Sequence, residues 1–240
     1  MAFIITGFAG IATLIGILPL FLNIKNKEKL IASSCAFASG VMISIAILDL
    51  IPDGISKANI SIIFMFLAII LGIVFAMSLD ILVDKLSGNN LYKVGILSMI
   101  IIILHNIPEG IITYMVSSKN ILLGSSLALA IAIHNIPEGI SIAIPIYFAS
   151  RSKIKAILYT FIAGVSELFG AIISYLFLTK YMNDSILGLT LIFIGGMMIS
   201  LAYNKLLPES INYDKKRAYI AFSIGFIFMI ISLLLNNLIF

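Results

Sequence analysis

Two copies of one hexapeptide contain both histidines of the 240-residue chain. The copies read His-Asn-Ile-Pro-Glu-Gly and occupy residues 105–110 and 134–139. In each copy the histidine and the glutamate are four residues apart, so on a helix their side chains share one face. Each copy also lies near the middle of a long apolar stretch, where an ionisable side chain is costly. Imidazole and carboxylate groups in such a setting indicate cation binding or proton transfer.

A third acidic residue, Glu167, lies equally deep in another apolar stretch. An acid at the centre of a bilayer costs about 2.5–3.5 kcal/mol on insertion scales, and it is retained where it pairs, binds a cation or relays protons. No lysine or arginine lies at comparable depth, because Lys205 is nearer a membrane face. Two imidazoles and three carboxylates would therefore form an anionic cluster, and a divalent metal would supply the opposite charge.

The ligand types narrow the choice of ion. Imidazole with carboxylate suits Zn²⁺, Fe²⁺, Co²⁺, Ni²⁺ or Mn²⁺, whereas Ca²⁺ and Mg²⁺ prefer sites made of oxygen alone. Asn106 and Asn135 add neutral oxygen donors, and a weak amide ligand suits an ion that must leave as well as bind. A lone His-x-x-x-Glu could instead be a hydrogen-bonded packing pair, but its repetition on neighbouring helices favours metal binding.

Three further residues have two interpretations each. Asp49 and Asn204 lie toward the ends of their apolar stretches, and each is either part of an ion entrance or pathway or a polar group at the membrane interface. The single cysteine, Cys35, lies in an apolar run and is interpreted as a small buried hydrophobe.

The composition is that of an integral membrane protein. Apolar residues make up 61% of the chain and charged residues 11%, against about a quarter charged in soluble domains. Apolar stretches of about 20 residues predict membrane-spanning helices, and no period-2 alternation indicates a barrel. We predict one transmembrane domain over residues 1–240 with eight spans, at about 2–22, 31–51, 60–79, 94–116, 121–148, 155–179, 186–207 and 218–238.

The basic residues are distributed unevenly between the two sides of the predicted bundle. Connections after spans 1, 3, 5 and 7 carry eleven of them: Lys25, Lys27, Lys29, Lys85, Lys93, Arg151, Lys153, Lys155, Lys215, Lys216 and Arg217. The other side carries three: Lys57, Lys119 and Lys180. Cytoplasmic loops are enriched in lysine and arginine, so this distribution places both termini outside the cytoplasm.

The chain also contains an internal repeat. Residues 42–53 of span 2 resemble residues 198–209 of span 7, and residues 9–16 of span 1 more weakly resemble residues 163–170 of span 6. The paired spans cross in opposite directions in the predicted topology, as do spans 4 and 5. Inverted repeats with a site near the midplane are frequent in secondary transporters.

Two successive spans that each carry His-Asn-x-Pro-Glu-Gly, within eight spans whose ends both lie outside, resemble the ZIP (Zrt/Irt-like) metal transporters and especially their bacterial members. The resemblance covers essentially the whole chain, and its motif is highly specific. It implies a 3+2+3 arrangement of spans in the cell membrane and uptake of divalent transition metals into the cytoplasm. Zn²⁺ is the expected cargo, with Fe²⁺, Mn²⁺, Co²⁺ and Cd²⁺ as alternatives.

The resemblance also implies a binuclear metal site on spans 4, 5 and 6. One metal would be bound by four side chains: His105, Glu109, His134 and Glu138. An adjacent second site would use Asn106, Asn135 and Glu167, with the two hexapeptide glutamates bridging. The family's seventh span commonly carries an acid three or four residues before its Pro-Glu. Asn204 and Lys205 occupy these positions here, and an uncompensated Lys205 would repel an incoming metal.

The remaining expectations concern partners and reaction class. The chain has no phosphate-binding Gly-x-x-x-x-Gly-Lys-Ser/Thr motif and no soluble domain to hold a nucleotide, and we expect neither nucleotide nor nucleic acid as a partner. Its partners would be metal ions and the lipid bilayer, with a homodimer left open and no cofactor beyond the transported metal. We expect a transporter and no enzyme. The alternative is an intramembrane two-metal hydrolase, in which paired metals would activate water.

Overall fold

A computed structural model describes residues 1–21, 26–58, 60–85, 89–178 and 183–239, so Lys25 and Lys180 lie outside it. The described residues form helices and no strand. Eight helices are long and apolar enough to cross a membrane: α1 (Ala2–Phe21), α2 (Lys27–Lys57), α3 (Ile62–Asp84), α4 (Asn90–Lys119), α5 (Ile121–Ser150), α6 (Lys153–Phe177), α7 (Asp184–Tyr213) and α8 (Lys215–Leu235). The prediction of an all-α membrane protein with eight spans is confirmed.

Two helices continue well past the predicted ends at residues 51 and 207. Pro52 and Pro208 follow these ends, and proline ordinarily interrupts a helix because it has no N–H and its ring clashes with the carbonyl four residues earlier. In the structure α2 and α7 accommodate the proline with one wider π-helical turn, at Ala46–Leu50 and Ala202–Leu206. The wider turn changes the hydrogen-bond spacing, and both helices continue through the proline.

These two π turns occupy corresponding positions in the internal repeat. Each follows a regular helix, ends just before the Leu/Ile-Pro pair and is followed by one more short α-helix. The weaker repeat between α1 and α6 also has a structural counterpart, because these helices cross at Gly10 and Gly164. A Cβ atom added at either glycine would collide with the carbonyl oxygen of the other. Both observations support the repeat, while the 3+2+3 grouping and the side of the termini stay predictions.

The second half of α1 is wound more tightly than an α-helix. Residues Ala12–Phe21 form a 3₁₀ segment with Pro19 inside it. Ten α-helical residues at 1.5 Å each and ten 3₁₀ residues at about 2.0 Å each give a length of roughly 35 Å. The 20 residues of α1 are therefore sufficient to cross a hydrocarbon layer of about 30 Å.

The buried centre of the bundle is formed by α2, α4, α5 and α7. These helices supply most of the large buried side chains, such as Met42, Ile101, Ile144 and Met198. Helix α5 packs against α1, α2, α4 and α6, so it is enclosed by protein on several sides. Helices α3 and α8 instead expose many leucine, isoleucine and phenylalanine side chains, as expected for surfaces that contact lipid. The two hexapeptides thus lie on two of the four helices that form the buried centre.

Candidate metal centre

The two hexapeptides occupy the middle turns of α4 and α5, which are separated by a single residue. That residue, Asn120, ends α4 and caps α5, because its side-chain oxygen accepts hydrogen bonds from the backbone N–H groups of Leu122 and Leu123. So short a connection makes α4 and α5 antiparallel neighbours. Both helices run on through their prolines. The two His-x-x-x-Glu faces therefore meet inside the bundle.

Both imidazoles converge on one carboxylate oxygen. The Nε2 atoms of His134 and His105 lie 3.1 and 3.2 Å from Oε1 of Glu109. His105 Nε2 is also 3.4 Å from Oε1 of Glu138. One ligand atom from each of His105, His134 and Glu138 can be chosen so that all three lie within 4.8 Å of one another. Donors at such spacing fit around one metal ion.

Many polar atoms of this cluster are buried without a hydrogen-bond partner. They are His105 Nδ1 and Nε2, Asn106 Oδ1, Glu109 Oε2, Asn135 Oδ1, both carboxylate oxygens of Glu138, and Glu167 Oε1. The contacts of His105 Nε2 with Glu109 and Glu138 are within ion-pair distance but lack hydrogen-bond geometry. Among the described residues, no lysine or arginine pairs with these three carboxylates. Leaving a buried polar group unsatisfied costs about 1–3 kcal/mol, and more for a charged one. The donor set is therefore chemically suited to a bound cation.

The two asparagines are held in equivalent ways by the flanking helices. Asn106 donates from Nδ2 to the carbonyl of Ala163 on α6, and Asn135 donates from Nδ2 to the carbonyl of Ala9 on α1, both at 2.9 Å. Asn135 also donates to Oε2 of Glu167 at 3.0 Å, so Glu167 from α6 joins the cluster. Because both amide nitrogens donate to protein, each Oδ1 remains free to bind a cation.

The internal repeat that relates α1 to α6 draws attention to Thr13, which sequence reasoning missed. The offset that relates α1 to α6 pairs Thr13 with Glu167. In the structure, a Cβ atom at Gly139 of α5 would collide with the carbonyl oxygen of Thr13, and a Cβ atom at Gly110 of α4 would collide with that of Glu167. Thr13 is fully buried, and its Oγ1 has no hydrogen-bond partner. Reading the alignment of residues 9–16 with 163–170 position by position would have found it.

Asp49 lines a cavity that reaches the cluster. The cavity has a volume of about 180 Å³, and its lining includes Asp49, Asp53, Glu109 and His134. Asp53 is partly exposed and forms an ion pair with Lys57 one helical turn later. The structure therefore brings Asp49 into one cavity with Glu109 and His134, one residue from each hexapeptide.

Asn204 lies apart from the cluster. It lines a cavity of about 230 Å³ with Asp84, Lys93, Lys205 and Glu209, and no hexapeptide residue lines that cavity. Its amide nitrogen donates to the hydroxyl of Ser200 on the same helix, at 3.2 Å. The structure thus does not bring Asn204 to the proposed ligands.

The charge of Lys205 is compensated. Its Nζ lies 2.6 Å from Oδ1 of Asp80 on α3, and Lys93 Nζ lies 3.0 Å from Oδ1 of Asp84. Acids at the end of a span are expected to face water or headgroups. Asp84 is indeed exposed, and both Asp80 and Asp84 also pair with lysines of neighbouring helices. Lys205 is therefore one member of an ion pair between α3 and α7.

Comparison with known proteins supports the resemblance seen in the motif. The profile of the family described as ZIP Zinc transporter matches residues 84–233, which is more than half of the chain. The chain belongs to the ZIP family. It is 32% identical to the Zinc transporter ZupT of Clostridium perfringens, over 98% of this chain and 95% of that protein. It is also 32% identical to the ZupT of Shigella flexneri serotype 5b, over 88% of this chain and 87% of that protein.

Family membership decides the reaction class. The ZIP relatives are named as transporters, and the chain has eight helices able to cross a membrane. It is accordingly a multi-pass membrane transporter and not an enzyme. The hydrolase alternative receives no support from the family.

Proposed function

We propose that this ZIP protein carries Zn²⁺, or another divalent transition metal such as Fe²⁺, Mn²⁺, Co²⁺ or Cd²⁺, across the cell membrane into the cytoplasm. The observation that carries the proposal is the convergence of both imidazoles on one oxygen of Glu109, beside buried carboxylate oxygens that have no protein partner. The names of the ZupT relatives favour Zn²⁺.

The first metal position would use the Nε2 atoms of His105 and His134 together with carboxylate oxygens of Glu109 and Glu138. Zn²⁺ takes four such ligands, at about 2.0–2.2 Å from nitrogen or oxygen. The His Nε2 atoms and the Glu oxygens contact one another directly at 3.1–3.4 Å, and a bound ion would replace these His–Glu contacts with metal–ligand bonds. Because the imidazoles must be unprotonated to bind, metal binding would release protons.

The second position would use the free Oδ1 atoms of Asn106 and Asn135 with Glu167, while Glu109 and Glu138 bridge the two ions. The net charge of the three buried carboxylates is equally compatible with one bound dication or with two. Three buried carboxylates exceed one dication by one negative charge and fall short of two dications by one. In either case the cluster lies within one charge of neutrality, which suits an apolar membrane interior.

We infer the direction of transport from the Asp49 cavity and the distribution of basic residues. Asp49 and Asp53, near the Lys57 end of α2, line this cavity together with Glu109 and His134. That end carries few basic residues and would face outside, with both termini on the same side of a single domain spanning residues 1–240. Asp49 would attract ions from outside to the centre. The sequence has no phosphate-binding motif, and we expect transport to be driven by the ion gradient or coupled to protons.

The proposal is tested by metal uptake in cells. His105→Ala and Glu138→Ala should each abolish radiolabelled Zn²⁺ uptake at unchanged membrane abundance, because each removes a ligand at the shared centre. Cys35→Ala provides a control, since this buried thiol is not part of the His/Glu cluster. Normal uptake by both ligand variants would overturn the assignment.

A further inference from the structure

An amphipathic groove lies between α2 and α8 at the end of the bundle that carries most basic residues. Its volume is about 740 Å³, within the range of ligand-binding pockets. Basic side chains line its mouth and apolar side chains line its deeper part: Lys29, Lys216, Arg217, Phe37, Ile220 and Ile224. Such a lining matches a molecule with an anionic end and an apolar end.

The mouth of the groove carries uncompensated positive charge. Asp214 is the one acid in its lining, and it is already engaged by the backbone N–H of Arg217 at 3.0 Å and by Arg217 Nε at 3.3 Å. Lys29 and Lys216 form no ion pair within the described part of the chain. Helices α2 and α8 both begin here, at Lys27 and Lys215. The Asp214 carboxylate already caps α8, whereas α2 has the neutral cap Asn26, so the amino-terminal dipole of α2 also favours an anion.

The depth of the groove matches the membrane interface. Eight residues separate Lys29 from Phe37 on α2, and eight separate Lys216 from Ile224 on α8, which at 1.5 Å per residue is about 12 Å along each helix. Just beyond these positions the two helices approach closely, since a Cβ atom at Gly40 would collide with the backbone of α8. The groove therefore runs from the headgroup level into the hydrocarbon and then ends.

We propose that this groove binds one anionic phospholipid, with its phosphate between Lys29 and Lys216 and an acyl chain along Phe37 and Ile224. Basic pockets between transmembrane helices bind anionic headgroups by this combination of charge and depth. Free phosphate would use the two lysines and leave the apolar part without a ligand. Ile140 of α5, the residue after the second hexapeptide, also lines the groove, so the lipid would contact the helix that carries the metal centre.

The test is the thermal stability of the purified full-length chain in a neutral detergent, measured by far-UV circular dichroism because the chain has no tryptophan. Phosphatidylglycerol at about 100 times its dissociation constant should raise Tm by roughly 5–10 °C. Phosphatidylcholine and inorganic phosphate should each give less than a third of that shift. A phosphate shift equal to that of phosphatidylglycerol would replace the lipid site with a simple anion site.

Two variants and one control make the test specific. K29Q/K216Q should lose most of the phosphatidylglycerol shift, and Ser33→Phe, which fills the groove without changing its charge, should lose it as well. K85Q/K155Q removes the same charge from exposed lysines outside the groove and should keep the full shift. An unchanged shift in K29Q/K216Q, or an equal loss in the control, would overturn the proposal, whatever the outcome of the transport assays.

Discussion

The packing of α4 on α6 beside the metal centre makes Gly110→Ala a demanding test of the structure. A Cβ atom at residue 110 would collide with the carbonyl oxygen of Glu167 and lie 2.7 Å from its carbonyl carbon. Carbon atoms in good contact are about 3.5 Å apart or more, so the two helices must separate by on the order of 1 Å. The backbone of a packed helix cannot move aside as easily as the end of a flexible side chain. Overpacking of this kind lowers the free energy of unfolding by about 1–3 kcal/mol.

Gly7→Ala is the matched control for this prediction. Both glycines lie inside membrane helices, and the nearest atom to a Cβ at residue 7 is Leu168 Cδ1 at an ordinary 3.8 Å. Alanine gains up to about 1 kcal/mol of helix propensity at either position. The difference between the variants therefore isolates the collision. It should appear in detergent melts as a Tm lower by roughly 2–12 °C for Gly110→Ala.

The same substitution should reduce transport. Separating α4 from α6 draws Glu167 away from Asn135, whose amide now holds it at 3.0 Å. Zn²⁺ uptake by Gly110→Ala should fall well below that of Gly7→Ala at equal membrane abundance. Equal Tm and equal uptake in the two variants would refute the close packing of these helices and its role in positioning Glu167.

Two further predictions concern charges outside the cluster. Asp49→Asn should raise the KM for Zn²⁺ roughly threefold or more with little change in maximal rate, because the carboxylate attracts cations into the cavity. Uptake measured at varied Zn²⁺ concentration tests this. The control is Asp184→Asn at the same end of the bundle, which should leave the KM unchanged. Asp80→Asn should destabilise the protein by about 1–3 kcal/mol by leaving half-buried Lys205 unpaired. A double-mutant cycle with Lys205→Gln should give a coupling of about 1 kcal/mol, and additive effects would contradict the ion pair.

Sequence reasoning predicted the eight helices, and it singled out the ionisable side chains that the structure brings together, because both depend on local chemistry. An apolar stretch of 20 residues has few alternatives to a membrane helix, and ionisable groups such as His105 and Glu138 are conspicuous in it. The single-residue connection at Asn120 then brings the two motifs together. Composition and spacing were sufficient for these features.

Features that depend on contacts between distant helices were harder to predict. The continuation of α2 past Pro52 depends on a π turn, which proline alone does not indicate. The pairing of Lys205 with Asp80 depends on how α7 packs against α3, and spacing along the chain carries no information about it. Thr13 is neither charged nor unusual in a membrane helix, and only the pseudo-symmetry of α1 and α6 distinguishes it.

Metal flux through the His/Glu centre of the purified protein is the most direct test of the proposed transport function. Purified protein in liposomes, with a Zn²⁺-sensitive dye inside, should show flux that is lost in His105→Ala and retained in Cys35→Ala at matched incorporation. Flux that is independent of His105 would place the pathway elsewhere. The absence of flux from the native chain would contradict the assignment of the cluster as a transport site.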